Sequence, residues 1–125
     1  MKIVFFSDSP QNSGFGRISN EVCDRLAIRG HLIHAASLLW DGVFADEKLG
    51  WFSPLKHTHP FQISGLAGKD WTSYLKNLIG LVQPDVVIVC QDFPYAVTTY
   101  YNLGIDWSRR KFCVITPIDG FPIEK

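Results

Sequence analysis

Residues with side chains and spacing suited to chemistry fall into three groups. The first is Ser13-Gly14-Phe15-Gly16-Arg17, which follows an apolar run at residues 3–6 and a polar stretch at residues 7–12. A strand that empties through glycines into a helix start presents unpaired backbone N–H groups and the positive end of the helix dipole, a favourable setting for an anion. Glycine lets the backbone approach a ligand closely, and Arg17 adds a guanidinium at the same helix start. The competing reading is a tight strand-to-helix turn with Arg17 solvated. The other two groups are Asp92 and Asp119, each following an expected buried strand. Either carboxylate suits a base, a hydroxyl-binding group or a turn cap, and capping is the favoured role of Asp92 before Phe93-Pro94.

Named fingerprints fit these groups poorly. Gly14-Phe15-Gly16-Arg17-Ile18-Ser19 matches the dinucleotide pattern G-x-G-x-x-G at its first two glycines only, and no acidic residue ends the second strand to bind a ribose. NAD is therefore not expected, nor any other cofactor. No Gly-Lys-Ser/Thr follows to make a P-loop, and there is no G-x-S-x-G nucleophile elbow. His57 and His59 alternate along the backbone without a third ligand nearby, which argues against a metal site.

Short apolar runs alternate with helix-period segments, the pattern of a single Rossmann-like, doubly wound, mostly parallel α/β sheet with helices on both faces. Strands are expected at residues 2–6, 31–36, 61–63, 86–90 and 112–116, and helices at 17–29, 71–82 and 95–103. In the first helix Ile18, Val22, Cys23, Leu26 and Ala27 share a face, and Gly30 supplies the stop. Leu32 and Ile33 are expected to point inward from the second strand. Asp70 reads as an N-cap for the helix whose Trp71, Leu75, Leu78, Ile79 and Val82 align. The apolar run at 86–90 has the character of a parallel strand covered on both faces. In such sheets ligands bind beyond the carboxyl ends of strands where strand order reverses, so segments 7–17, 91–95 and 117–122 should converge on a site.

Composition bounds the function. The 125 residues, 46% hydrophobic and 19% charged, are enough for one globular domain with a real core. Twelve basic and twelve acidic side chains give a formal net charge of zero, which points away from nucleic acid and anionic membranes. The cluster Arg109-Arg110-Lys111 reads as a solvated strand entrance in preference to a phosphate patch. No stretch is apolar for long enough to span a membrane. Cys23, Cys90 and Cys113 are odd in number, lack Cys-x-x-Cys spacing and sit in apolar surroundings, as expected of reduced core thiols in a cytoplasmic protein.

Taken in order, the opening strand with Ser13-Gly14-Phe15-Gly16-Arg17, the Arg29-Gly30-His31 junction, Pro84-Asp85-Val86-Val87 and the Pro117-Ile118-Asp119-Gly120 exit resemble the N-terminal half of family four glycosyltransferases. These are retaining, nucleotide-sugar-dependent enzymes of two facing Rossmann-like domains. The resemblance implies that residues 1–125 form the acceptor-side domain. It also implies a donor-binding C-terminal domain, with paired glutamates, beyond this chain. Such a half would be inactive alone, and its partners would be a nucleotide-sugar donor, an acceptor and the second domain. By position, Ser13, Gly14, Phe15, Gly16 and Arg17 match the loop that reaches the donor phosphates, and Asp92 is grouped with them as substrate-binding. Many members carry a histidine after the strand that corresponds to residues 112–116, at the donor sugar. This chain has none there, and Asp119 is the nearest polar candidate for the catalytic position.

Two other classes fit the same residues. A flavodoxin-like or regulator-like module would bind a phosphate-bearing ligand without chemistry. A structural α/β subunit would instead use Trp40, Trp51 and Trp107 as a partner surface.

Overall fold

The computed structural model describes residues 1–7, 14–38, 62–65 and 70–116. Strands β1 (Lys2–Ser7), β2 (Leu32–Ser37), β3 (Gln62–Gly65), β4 (Val86–Cys90) and β5 (Lys111–Ile115) form one all-parallel sheet in the order β3-β2-β1-β4-β5. Helices α1 (Gly14–Ile28), α2 (Trp71–Val82) and α3 (Phe93–Leu103) connect them, with a 3-10 turn at Trp107–Arg109 ahead of β5. The fold is α/β and Rossmann-like, as the alternation of apolar runs implied.

Four residues decide which doubly wound order this is. β3 pairs along the outer side of β2, His34 opposite Gln62 through Ser37 opposite Gly65. That gives 3-2-1-4-5, the Rossmann order, where a flavodoxin-like sheet would run 2-1-3-4-5. Strand order therefore reverses between β1 and β4, whose carboxyl ends flank the natural ligand crevice.

β1 is the centre of the core because its pleat feeds both layers. Ile3 and Phe5 pack with Cys23 of α1 and with Ile33, Val86 and Cys90. Val4 and Phe6 point the other way, into Leu75, Leu78 and Ile79 of α2 and Ala96 and Leu103 of α3. Phe6 also stacks on Trp71, ring centroids 5.6 Å apart. Residues at successive positions facing opposite layers is the period of two expected of a strand, and burial on both sides explains why the run has no polar member before Ser7.

Helix ends follow their chemistry. The Asp70 carboxylate accepts from the Ser73 hydroxyl at 2.7 Å and its N–H at 3.5 Å, capping α2 as expected. Gln83 closes that helix in the left-handed region at φ 48, ahead of Pro84. Gly104, at φ 54, ends α3. At the amino edge of the sheet, Asp85 joins three strands. Its carboxylate accepts the Lys2 N–H at 2.8 Å, its own N–H donates to the Lys2 carbonyl at 2.9 Å, and its carbonyl accepts the Lys111 N–H at 3.0 Å. This is what the Pro84-Asp85-Val86-Val87 motif does in the fold.

Some expectations need correction. α1 begins at Gly14, three residues ahead of the expected start at Arg17, so Gly14, Phe15 and Gly16 form its first turn. Its buried line is Gly16, Ser19, Asn20 and Cys23, whereas Ile18 is 40% exposed. The buried line includes a glycine and a serine, and the partly buried Val22, Leu26 and Ala27 flank it. Leu32 is 68% exposed, because alternation prevents it from sharing a face with buried Ile33. Cys113 is exposed and not a core thiol, since α1 lies chiefly over β1 and β2 and not over β5. Trp107 is partly buried, stacked on Tyr100 at 5.4 Å and set edge-on to Phe112 at 4.9 Å, so it packs the α3–β5 corner. Trp40 and Trp51 lie outside the described residues, among which no helix is long and apolar enough to cross a membrane.

The thiols should differ in reactivity accordingly. Burial, with smaller contributions from Asp24 and Cys90, pushes the Cys23 thiol well above its ordinary range. An aromatic disulfide reagent is expected to titrate Cys113 in a fast native phase that Cys113→Ser removes, leaving Cys23 and Cys90 to react only on unfolding. A second fast thiol in the native protein would contradict this packing.

Burial also lowers the affinity of His34 for a proton below its ordinary pKa of 6.5. Below that pH the unfolded chain binds the proton more readily, so stability present above it is lost as the pH falls. The depressed carboxyls of Asp70 and Asp106 contribute in a separate window, below their ordinary value of 3.8. Melting temperature should therefore fall as the pH is lowered below 6.5, and His34→Gln should flatten that fall.

Candidate functional site

Buried polar groups show where the fold gives up apolar packing. Among the described residues these are Ser7, Ser19, Asn20, Ser37, Gln91 and Thr99. Thr99 is accounted for locally, its hydroxyl donating to the Tyr95 carbonyl at 2.8 Å within α3. The other five gather at the carboxyl edge of the sheet. Ser7 and Ser37 are the last residues of β1 and β2 and stand in register, Gln91 follows β4, and Ser19 and Asn20 come from α1.

Hydrogen bonds tie this edge together. Ser7 Oγ donates to the Cys90 carbonyl at 2.9 Å, crossing from β1 to β4 where strand order reverses. Ser19 Oγ lies 2.6 Å from both Ser7 Oγ and the Phe15 carbonyl, so its single proton is shared between two acceptors. The Ser7 carbonyl accepts the Leu38 N–H at 2.8 Å, and the Gln91 N–H donates to the Ile115 carbonyl at 3.2 Å. Ser37 Oγ is fully buried without a hydrogen-bond partner. A buried hydroxyl in that state is a cost to the fold.

Ser19 occupies the third glycine position of the G-x-G-x-x-G pattern, where glycine allows close helix–strand packing. Here the approach is made by a small side chain that bonds the strand instead of avoiding it. The departure from the fingerprint is thus a hydrogen-bonded replacement, and it fixes the first turn of α1 over the ends of β1 and β4.

That turn carries the residues expected to meet a ligand. Gly14 is exposed and Gly16 buried, and the half-buried ring of Phe15 packs against the α1-side core cluster. Gly14 and Phe15 hold first-turn N–H groups with no partner inside the helix. Arg17 projects from the exposed side of the turn. Asp92 stands at the N-cap of α3, but its side chain makes no capping bond and is exposed, contrary to the capping role favoured for it. Ser13 and Asp119 lie outside the described residues. The fold therefore brings the α1 turn and Asp92 to one edge.

Ser7 and Gln91 begin two of the segments expected to converge on a site, but the sequence gives neither of them a role of its own, and Ser37 and Asn20 fall outside the groups it marks. Their signal was the polar residue that terminates each apolar run, at Phe6-Ser7, Ala36-Ser37 and Cys90-Gln91. Chemically the edge combines hydroxyls, backbone donors, a guanidinium and an exposed carboxylate. These suit an oxyanion held beside a hydroxyl-rich group. Among the described residues no group of three His, Cys, Asp or Glu side chains could hold a metal ion. Compared with protein-family models and with curated proteins, the sequence matches none.

The serine contact can be tested by stability. Ser19→Ala should cost about 1 kcal/mol, the worth of a buried hydrogen bond. Ser19→Val should cost about 1–3 kcal/mol more, because it forces bulk into the closest helix–strand approach. Urea denaturation that ranked valine at or above serine would refute the close contact.

Proposed function

We propose that this domain is the acceptor-side half of a retaining glycosyltransferase, which moves a sugar from a nucleotide-sugar donor to an acceptor hydroxyl. The observation that carries this reading is the α1 turn, fixed by the Ser19–Ser7–Cys90 hydrogen bonds at the reversal of strand order, with the exposed Asp92 carboxylate, which makes no capping bond, at the same edge of the sheet. In this reading the backbone of Ser13, Gly14, Phe15 and Gly16 meets the donor diphosphate, and Arg17 offsets its charge. Asp92 orients the acceptor hydroxyl, and Asp119 takes the catalytic position next to the donor sugar. A second domain supplies the nucleotide site, so the contribution of this half is positioning and charge stabilisation.

The strand order supports this reading over a flavodoxin-like module, since β3 lies outside β2 and gives the Rossmann arrangement. Buried Cys23 and Cys90, which form no disulfide, are in keeping with a reducing, cytoplasmic setting. A formal charge of zero is in keeping with small-molecule partners and not nucleic acid.

Amide-detected NMR titrations of the 125-residue chain with UDP-glucose, GDP-mannose, flavin mononucleotide and NAD test the proposal. A nucleotide sugar should perturb residues 14–17 and 91–92, with no turnover by this domain alone. A Cβ at Gly14 would meet nothing within 4 Å, so Gly14→Trp should keep the melting temperature while abolishing that response. A response confined to flavin mononucleotide would replace the enzyme reading with the binding module.

A further inference from the structure

The amino edge of the sheet, opposite the site above, holds a second cluster. A cavity of about 320 Å³ is lined by Asp85, Trp107, Ser108, Arg109, Arg110 and Lys111. Three successive basic residues thus contribute to its lining. None of the three forms an ion pair with a described residue. The Nε of Arg110 is buried and has no hydrogen-bond partner. A buried guanidinium donor left in that state is stabilised by any acceptor that reaches it.

Nearby acids do not cancel these charges. Asp85 directs one carboxylate oxygen to the Lys2 N–H at 2.8 Å. Asp106 accepts the Ser108 N–H at 2.9 Å, and that bond, ahead of weaker attraction to Arg109 and Arg110, holds its carboxyl below the ordinary range. Both acids are therefore engaged with backbone donors, and the cations outnumber them by three to two. The backbone N–H groups of Arg110 and Lys111 are also taken, by the carbonyls of Trp107 and Asp85. Recognition here would fall to side chains. The turn that carries them is anchored, because the Trp107 ring stacks on Tyr100 and meets Phe112 edge-on.

We propose that this cavity is a binding site for a phosphate monoester of a small molecule. The tetrahedral dianion sits against Arg109, Arg110 and Lys111, where guanidinium forks match its oxygens. The volume reaches the range of small-molecule sites and leaves room for an ester group beyond the phosphate. The sequence alone reads the cluster as a solvated strand entrance. What changes that reading is the cavity together with the orphaned Arg110 Nε.

The test is an amide-detected titration of the 125-residue chain with inorganic phosphate and, separately, glycerol 3-phosphate, at constant ionic strength. Saturable shifts at residues 107–111 are expected with both, and tighter binding of glycerol 3-phosphate would assign the site to esters over free phosphate. Arg110→Gln should weaken binding about tenfold or more. Lys111→Gln, at an exposed position, should weaken it with an unchanged melting temperature and serves if Arg110→Gln fails to fold. Shifts that never saturate, shifts confined to residues 14–17, or full affinity in folded Arg110→Gln or Lys111→Gln would overturn the proposal. This outcome is independent of the carboxyl-edge site, whose response falls on other amides.

Discussion

β1 is buried on both faces, and that constraint organises everything around it. A strand with apolar neighbours above and below can expose polar atoms only at its ends. Ile3 through Phe6 are at most 2% exposed, so the first position at which β1 can carry a hydroxyl is Ser7. From there the Ser7 Oγ reaches the Cys90 carbonyl on β4, and Ser19 reaches Ser7 from α1. The helix is consequently held close to the strand at the point where strand order turns back. The polar character of this edge follows from the core, since the same packing that removes polar groups from the middle of the sheet concentrates them at its carboxyl ends.

Two kinds of contact hold the sheet edges, and they differ in what they leave for a ligand. At the amino edge Asp85 spends its carbonyl, its N–H and one carboxylate oxygen on β1 and β5. Structure is made there by backbone bonds, and the unspent groups are the cations after Trp107. At the carboxyl edge structure is made by serine hydroxyls, and the unspent groups are the Ser37 hydroxyl and the Asp92 carboxylate. The chain thus carries positive charge where its strands begin, and neutral donors with an exposed acid where two of them end.

Much of the fold was legible because parallel strands buried on both faces leave long apolar runs, as at residues 86–90, and because Asp70, Pro84 and Gly104 punctuate the helices. Less legible was whatever depends on how closely layers approach. Ile18 looked like a core residue by helical period, but the contact line of α1 is Gly16, Ser19, Asn20 and Cys23, which hydrophobicity cannot pick out. Cys113 looked buried by its apolar neighbours, yet helix cover, which is a property of topology, decides its exposure. The α1 turn and Asp92 were read as candidate site residues from strand ends and turn chemistry, and the fold puts both at the carboxyl edge of the sheet. Ser7 and Ser37 were passed over because a serine closing a strand has no motif, and its role emerges only when neighbouring strands are placed beside it.

The Gly14-Phe15-Gly16-Arg17-Ile18-Ser19 segment brings these points together. Judged as a fingerprint, Ser19 is a failed third glycine and weakens any ligand assignment. Judged by contacts, Ser19 does what the glycine is there for, letting the helix approach the strand, and adds a hydrogen bond that a glycine lacks. The position therefore constrains side-chain size more than residue identity. A turn held from beneath by a side-chain hydrogen bond needs less from its loop to stay in place, so the first turn of α1 can keep its orientation whatever conformation precedes Gly14.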